Sequence, residues 1–283
     1  MNNDPQQFQS EPYACTEADG KVTITGFDGS LSGDITIPAT LGGHPVTAIG
    51  ARAFQGCSGV TSVIIPEGVT RVGERAFWDC SGLSFVVIPD SVTSIGDHAF
   101  YECTGLTAVA IPAGVTSIGD QAFTCCTVMT SIAVAPDNPA YSSVDGMLFD
   151  KDRALLIQCP AGKSGPVAIP AGVAGICHHA FYECTGVTAV TIPEGVTSIG
   201  DRAFWECTAL ASVTIPASVT SIGYCVFYRC TSLAGAVFLG DAPAMGALVF
   251  SGVASGFTVR HPKGRGGFTA PAWKVYRVAE LDA

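Results

Sequence analysis

The stretch VTSIGDHAFYECTGLTAVAIPAG, Val92–Gly114, decides how the rest of the chain is read, because it recurs almost verbatim along the sequence. Its first Val aligns with Val46, Val69 and Val115, then with Val173, Val196 and Val219. Every step is 23 residues except the one from 115 to 173. A degenerate eighth copy starts at Ala242 and keeps Met245 in the Ile slot, Phe250 in the Phe slot and Pro262 in the Pro slot. A period of this length marks a solenoid, whose units bury their apolar faces only by stacking on their neighbours.

Within a unit the apolar positions run V-x-x-I, then A-F-x-x-C, then L-x-x-V-x-I-P. The short alternating runs bounded by Gly and Pro predict strands and a β-dominated coil. The A-F-x-x-C piece is too short for a stable helix of its own and predicts one helical or 3-10 turn. Stacking predicts an internal column of Phe54, Phe77, Phe100, Phe123, Phe181, Phe204, Phe227 and Phe250. The Pro that closes most units sits where the chain leaves the strand, since it cannot continue ladder pairing.

Departures from the period divide the chain. Residues 1–12 read as a flexible amino terminus. Residues 13–45 have the I-P ending without A-F-x-x-C and read as a cap. Residues 46–136 hold repeats one to four. Residues 137–168 read as a β-hairpin-like insert, in which two apolar runs flank Asp150–Arg153, and 169–241 hold repeats five to seven. Residues 242–283 form the degenerate repeat and the carboxy-terminal cap. Caps are expected because the open end of a solenoid exposes core and strand edges.

Composition agrees. Hydrophobic residues make up 48% of the 283 residues and charged residues only 13%, too few to cover a compact sphere, so an extended regular body fits better. The formal net charge of -10 and pI near 4.8 argue against nucleic acid or an anionic membrane surface as the main partner, since both reward Lys and Arg. No apolar run reaches the roughly 18 residues of a membrane-spanning helix. The richest stretch, Leu233 to Phe257, is broken by Asp241 and Pro243. The start MNNDPQQFQSEP lacks the basic and apolar regions of a secretory signal, which predicts a cytoplasmic protein or a mature or trimmed form.

Candidate chemistry is sparse. Seven of the 12 cysteines, Cys57, Cys80, Cys103, Cys126, Cys184, Cys207 and Cys230, share one repeat slot and predict a buried structural ladder. Cys15, Cys125, Cys159, Cys177 and Cys225 stand outside it, and disulfides among them are left open. No C-x-x-C occurs. Cys177, His178 and His179 lie together but in variable slots, and His98 shares the slot of His179, so surface placement is expected. Ser142, Ser143 and Asp145 lack a neighbouring His for triad chemistry. Gly264, Gly266 and Gly267 lack the Gly-Lys-Ser/Thr ending of a phosphate loop. No catalytic, cofactor or metal residue is predicted, and no enzyme.

The slot after the repeated Phe reads Gln55, Trp78, Tyr101, Thr124, Tyr182, Trp205, Tyr228 and Ser251, and the next slot holds Asp79, Glu102, Glu183 and Glu206. Stacked copies would align an aromatic row beside an acidic row, a composition suited to interfaces. The bland alternative is that the rings only cover the flank of the Phe column. The open sheet face, with Ser62, Phe85, Ala108, Ser131, Ala189 and Ser212, is mostly small and would suit a flat partner.

The pattern V-T-x-I-x-x-x-A-F-x-x-C-x-x-L-x-x-V-x-I-P resembles the BspA-like subclass of leucine-rich repeats, and the insert NPAYSSVDGMLFDKD also resembles a segment of that family. The resemblance implies a right-handed superhelix of about eight repeats plus caps, with a parallel sheet along one face. It also implies a bacterial cell-surface or secreted interaction or adhesion module without shared catalytic residues. Its partner would be a host or matrix protein or a glycan. An intracellular or structural scaffold is the alternative, with a cytoplasmic location; the partner and the oligomeric state are left open.

Overall fold

Each repeat makes one turn of a coil, and its strands pair in parallel with strands of neighbouring turns. The computed structural model describes residues 6–269 and 272–281, and the chain divides into two compact units, Met1–Gly146 and Met147–Ala283. In the first, Ser94–Ile95 lies between Arg71–Val72 and Ser117–Ile118, so that Ser94 faces Arg71 and Ser117 in register. A second ladder runs through Gly33–Thr36, Val60–Ile64 and Phe85–Val87, and Ala108–Ile111 pairs with Ser131–Val134.

The second unit repeats the scheme. Gly175–Ile176, Ser198–Ile199, Ser221–Ile222 and Ala244–Met245 form one parallel ladder. Ser164–Ala168, Gly186–Thr191, Ser212–Ile215, Gly235–Phe238, Thr258–His261 and Tyr276–Glu280 form the other. Each unit is a leucine-rich-repeat solenoid with the expected parallel sheet along one face and a narrower parallel ladder besides. The ladder through Arg71–Val72, Ser94–Ile95 and Ser117–Ile118, like its counterpart in the second unit, is only two residues wide per turn, too short to show as a periodic run.

Alternation decides which side chains go in. Val109 and Ile111 are buried while Ala108 and Ala110, alternating with them, face out. The rings of Phe54, Phe77, Phe100 and Phe123 stack at centroid spacings of 5.0, 5.1 and 5.3 Å. Those of Phe181, Phe204, Phe227 and Phe250 stack at 4.6, 5.1 and 5.2 Å. The spacing follows the distance of about 4.7–4.9 Å between neighbouring strands. Close stacking also fixes Gly96, where an added Cβ would fall 2.6 Å from the main-chain nitrogen of Glu74.

Among the described residues there is no helix, and the helical or 3-10 turn expected at A-F-x-x-C is not formed. A helix needs each amide to bond within its own segment. Here alternate amides leave it. The N–H groups of Arg75, Phe77 and Asp79 donate to the carbonyls of Asp97, Ala99 and Tyr101 in the next repeat, at 2.9, 2.7 and 2.9 Å. Those of Ala76, Trp78 and Cys80 close local turns on Gly73, Arg75 and Phe77. Left-handed residues stand at both sides of the Ala-Phe pair: Arg75 and Asp79 have φ of 54° and 55°, and His98 and Glu102 have 55° and 59°.

The caps and the insert coil too, so the chain makes more turns than eight repeats. Lys21–Phe27 pairs in parallel with His44–Ile49, and Leu155–Gln158 pairs in parallel with Gly175–Ile176. Of the segment 1–12 expected to be flexible, residues 1–5 lie outside the described residues. Gln6–Ser10 is a strand, antiparallel to Tyr13–Ala18, with the Phe8 ring against Gly42. Met147–Asp150 and Leu155–Gln158 form an antiparallel hairpin around Asp150–Arg153. At the far end Ala272–Trp273 folds back antiparallel on Tyr276–Glu280.

In the first unit the segment before that hairpin is held by Asn138, which is fully buried. Its Nδ2 donates to the carbonyls of Pro112 and Val115 at 2.7 and 2.8 Å. Its Oδ1 accepts from the amides of Ala140 and Tyr141 at 2.9 and 2.8 Å. Both donors and the acceptor oxygen are thereby used, as burial of an amide requires.

Candidate functional site

The left-handed pair in each repeat turns the slot after Phe toward the surface. All five rings of the expected row, Trp78, Tyr101, Tyr182, Trp205 and Tyr228, are half-buried. In the first unit Trp78 and Tyr101 meet at a centroid distance of 4.8 Å with planes tilted by 42°. His98 stacks on Trp78 at 5.5 Å and 24°, and the Arg75 guanidinium lies 4.9 Å from the Trp78 centroid. Arg75 also pairs with Glu74 at 3.0 Å. In the second unit Tyr182, Trp205 and Tyr228 form a near-parallel stack, with spacings of 6.0 and 4.2 Å and interplanar angles of 8° and 21°. Arg202 lies over Trp205 at 5.7 Å and Arg229 over Tyr228 at 5.4 Å.

The acidic slot tracks these rings. Glu102 accepts from the Trp78 indole Nε1 at 3.2 Å, and Glu206 accepts from Arg229 at 3.0 Å, a bond that holds the guanidinium proton more firmly. Asp79 is exposed and Glu183 half-buried. All four acids stand at left-handed φ. Gly fills the same slot at Gly56 and Gly252, so the backbone itself does not ask for a carboxylate there. Within each unit the rings of the slot after Phe therefore lie against one another. Sequence reasoning missed the guanidinium and imidazole partners Arg75, His98, Arg202 and Arg229, which the left-handed turns bring onto the rings.

Other candidates resolve into structure. The carboxylates of Asp97 and Asp201 accept from the amides of Asp120 and Tyr224 one repeat on, at 2.9 and 2.7 Å. His178 occupies the same slot and accepts from the Asp201 amide through Nδ1 at 2.9 Å. Ser143 accepts from the Val134 amide. None of the 12 cysteines, all among the described residues, is in a disulfide; eleven are buried and Cys177 is half-exposed. Burial, with the Asp150 charge behind it, pushes the Cys177 thiol up. A shallow groove of about 330 Å³ runs past Leu155, Cys177, His178 and Asp201. Among the described residues no cluster of His, Cys, Asp or Glu is placed to hold a metal ion. No helix there is long and apolar enough to cross a membrane.

On the open sheet face of the first unit Phe85 is 56% exposed, beside exposed Ile64 and Val87. Ser62 and Ser131 are half-buried and Ala108 exposed; in the second unit Ala189 and Ser212 are exposed.

Six copies of the BspA type leucine rich repeat region match residues 27–150 and 163–262. Among solved structures, a leucine rich cell surface protein of Faecalibacterium prausnitzii A2-165 is 26% identical, with a TM-score of 0.65 over 100% of this chain and 97% of that one. A leucine-rich repeat protein of Bacteroides ovatus is 27% identical, with a TM-score of 0.60 over 99% of this chain and 76% of that one. One of Eubacterium ventriosum, at 23% identity and a TM-score of 0.69 over 98% and 85%, shares the fold. Among curated proteins none matches the chain.

Proposed function

The chain belongs to the BspA-type leucine-rich-repeat family, and from that premise we propose that it is a non-catalytic interaction module of a bacterial cell surface, or a secreted one. Its ligand is a host or matrix protein or a glycan. The observation that carries this reading is the pair of half-buried aromatic rows, each flanked by carboxylates and guanidinium groups. Tyr, Trp and Arg concentrate binding energy at protein interfaces. A structurally similar F. prausnitzii protein described as a cell surface protein supports the location.

A pull-down from extracellular-matrix and cell-surface extract tests it, comparing wild type with Trp78→Ala/Tyr101→Ala/Tyr182→Ala/Trp205→Ala after the variant's fold is checked. Selective loss of a captured partner supports the aromatic row as the binding surface. Equal capture by both moves binding to the sheet face or the caps. A second reading, an intracellular or structural scaffold, is favoured by the lack of any disulfide among the described cysteines, since thiols persist in reducing compartments. Capture of nothing by either protein would favour it.

A further inference from the structure

We infer that the aromatic rows take a polypeptide segment bearing Lys or Arg, and not a saccharide; this rests on the reading of the rows as the binding surface. Aromatic side chains hold sugars by offering an open ring face to the C–H side of a pyranose. The faces of the two tryptophans are already used. Trp205 lies between Tyr182 and Tyr228, near-parallel to both, and carries the Arg202 guanidinium at 5.7 Å. Trp78 is stacked by His98 at 5.5 Å and overlaid by Arg75 at 4.9 Å. Its indole N–H, the other handle for a sugar hydroxyl, is donated to Glu102.

The spacing of the rings closes the remaining route. Neighbouring centroids lie 4.2 to 6.0 Å apart, set by the stacking of the repeats beneath them. A sugar ring inserted between two aromatic rings would need roughly twice the usual stacking distance, and the main-chain ladders forbid that opening. What the rows present is the half-buried rings of Tyr101, Tyr182 and Tyr228 with charged groups in partial exposure. The Arg229 side chain is 60% exposed and that of Glu206 29%.

Half-buried Tyr and Trp rings with flanking charges match the way protein interfaces are built, where Tyr and Trp supply rigid contact area and the charges set orientation. The charge of the partner follows from complementarity. The chain carries 24 acidic against 14 basic side chains. Along the rows Glu74, Asp79, Glu102, Glu183 and Glu206 outnumber the guanidiniums of Arg75, Arg202 and Arg229, so the net field steers a cationic segment in and repels an acidic one.

The test displays short synthetic peptides in basic, neutral and acidic sets beside an array of neutral and acidic oligosaccharides, probed with the full chain. Two variants keep the ring stacks: Tyr182→Phe/Tyr228→Phe and Glu183→Gln/Glu206→Gln. The expected result is binding to basic peptides, weakened by about tenfold in both variants, with no oligosaccharide signal that depends on the row. Oligosaccharide binding lost in Trp78→Ala/Trp205→Ala would keep the row as the binding surface and overturn the polypeptide inference. Peptide binding unchanged in every row variant would overturn the inference together with the reading on which it rests. Absence of binding to either array would overturn the inference as well.

Discussion

The thiol of Cys103 donates to the main-chain carbonyl of Phe77 in the preceding repeat at 3.1 Å. The same bond joins Cys80 to Phe54, Cys126 to Phe100, Cys207 to Phe181 and Cys230 to Phe204, at 3.0 to 3.2 Å. The Phe carbonyl also accepts the Cys amide of its own repeat, as Phe77 does from Cys80 at 3.3 Å. The thiol thus fastens the turn of one repeat to the turn before it while filling a small apolar gap.

Cys103→Ala removes both the bond and the sulfur volume at a fully buried position. The expected cost is about 2 kcal/mol, read as a lower urea midpoint. Cys103→Ser restores a donor and should lose less than Ala if the bond matters more than the volume. Equal stability of wild type and Cys103→Ala would remove the ladder from the account.

Burial makes the Cys126 thiol a poor acid. Its pKa is pushed up from 9.0 to about 12, mainly by desolvation. The folded protein therefore holds this proton more tightly than the unfolded chain. Its contribution to stability is complete below pH 9 and is lost as the pH rises from about 9 to 12. Urea midpoints should fall across that window, and less so in Cys126→Ala when each protein is referred to its own midpoint at pH 7. In native protein a thiol reagent should label Cys177 first, the only half-exposed cysteine. Rapid labelling of all 12 without unfolding would contradict the buried ladder.

Asn138 uses its whole amide inside the first unit. Asn138→Ala leaves the carbonyls of Pro112 and Val115 and the amides of Ala140 and Tyr141 without this partner. The expected loss is about 3 kcal/mol, measured by thermal unfolding. Asn138→Asp should be as harmful, because a carboxylate would face two carbonyl oxygens.

Glu102 sits at φ of 59°. Glu102→Gly relieves that backbone and should leave stability near wild type, whereas Glu102→Val should cost about 1–2 kcal/mol through its branched Cβ. Comparison of the two unfolding midpoints checks the left-handed turn directly.

The repeat and its two columns were legible because identity at one spacing, Val92 to Val115 or Phe77 to Phe100, reports stacking without any knowledge of the strands. The turn at A-F-x-x-C was misread because its amides divide between their own repeat and the next, a relation that no single unit contains. The aromatic row was legible as a row. Its internal stacking was not, since the guanidinium of Arg75 reaches Trp78 only after both left-handed residues have turned the chain. The strand at Gln6–Ser10 was hidden by its polar composition, QQFQS, which carries no alternation of apolar residues.

Hydroxyl-radical footprinting of the chain with and without the partner captured from surface extract tests the central claim most directly. The account predicts protection of Trp78, Tyr101, Tyr182, Trp205 and Tyr228, with Phe85 on the sheet face still oxidised at its free rate. Protection of Phe85 with the five rings oxidised as in the free protein would contradict it.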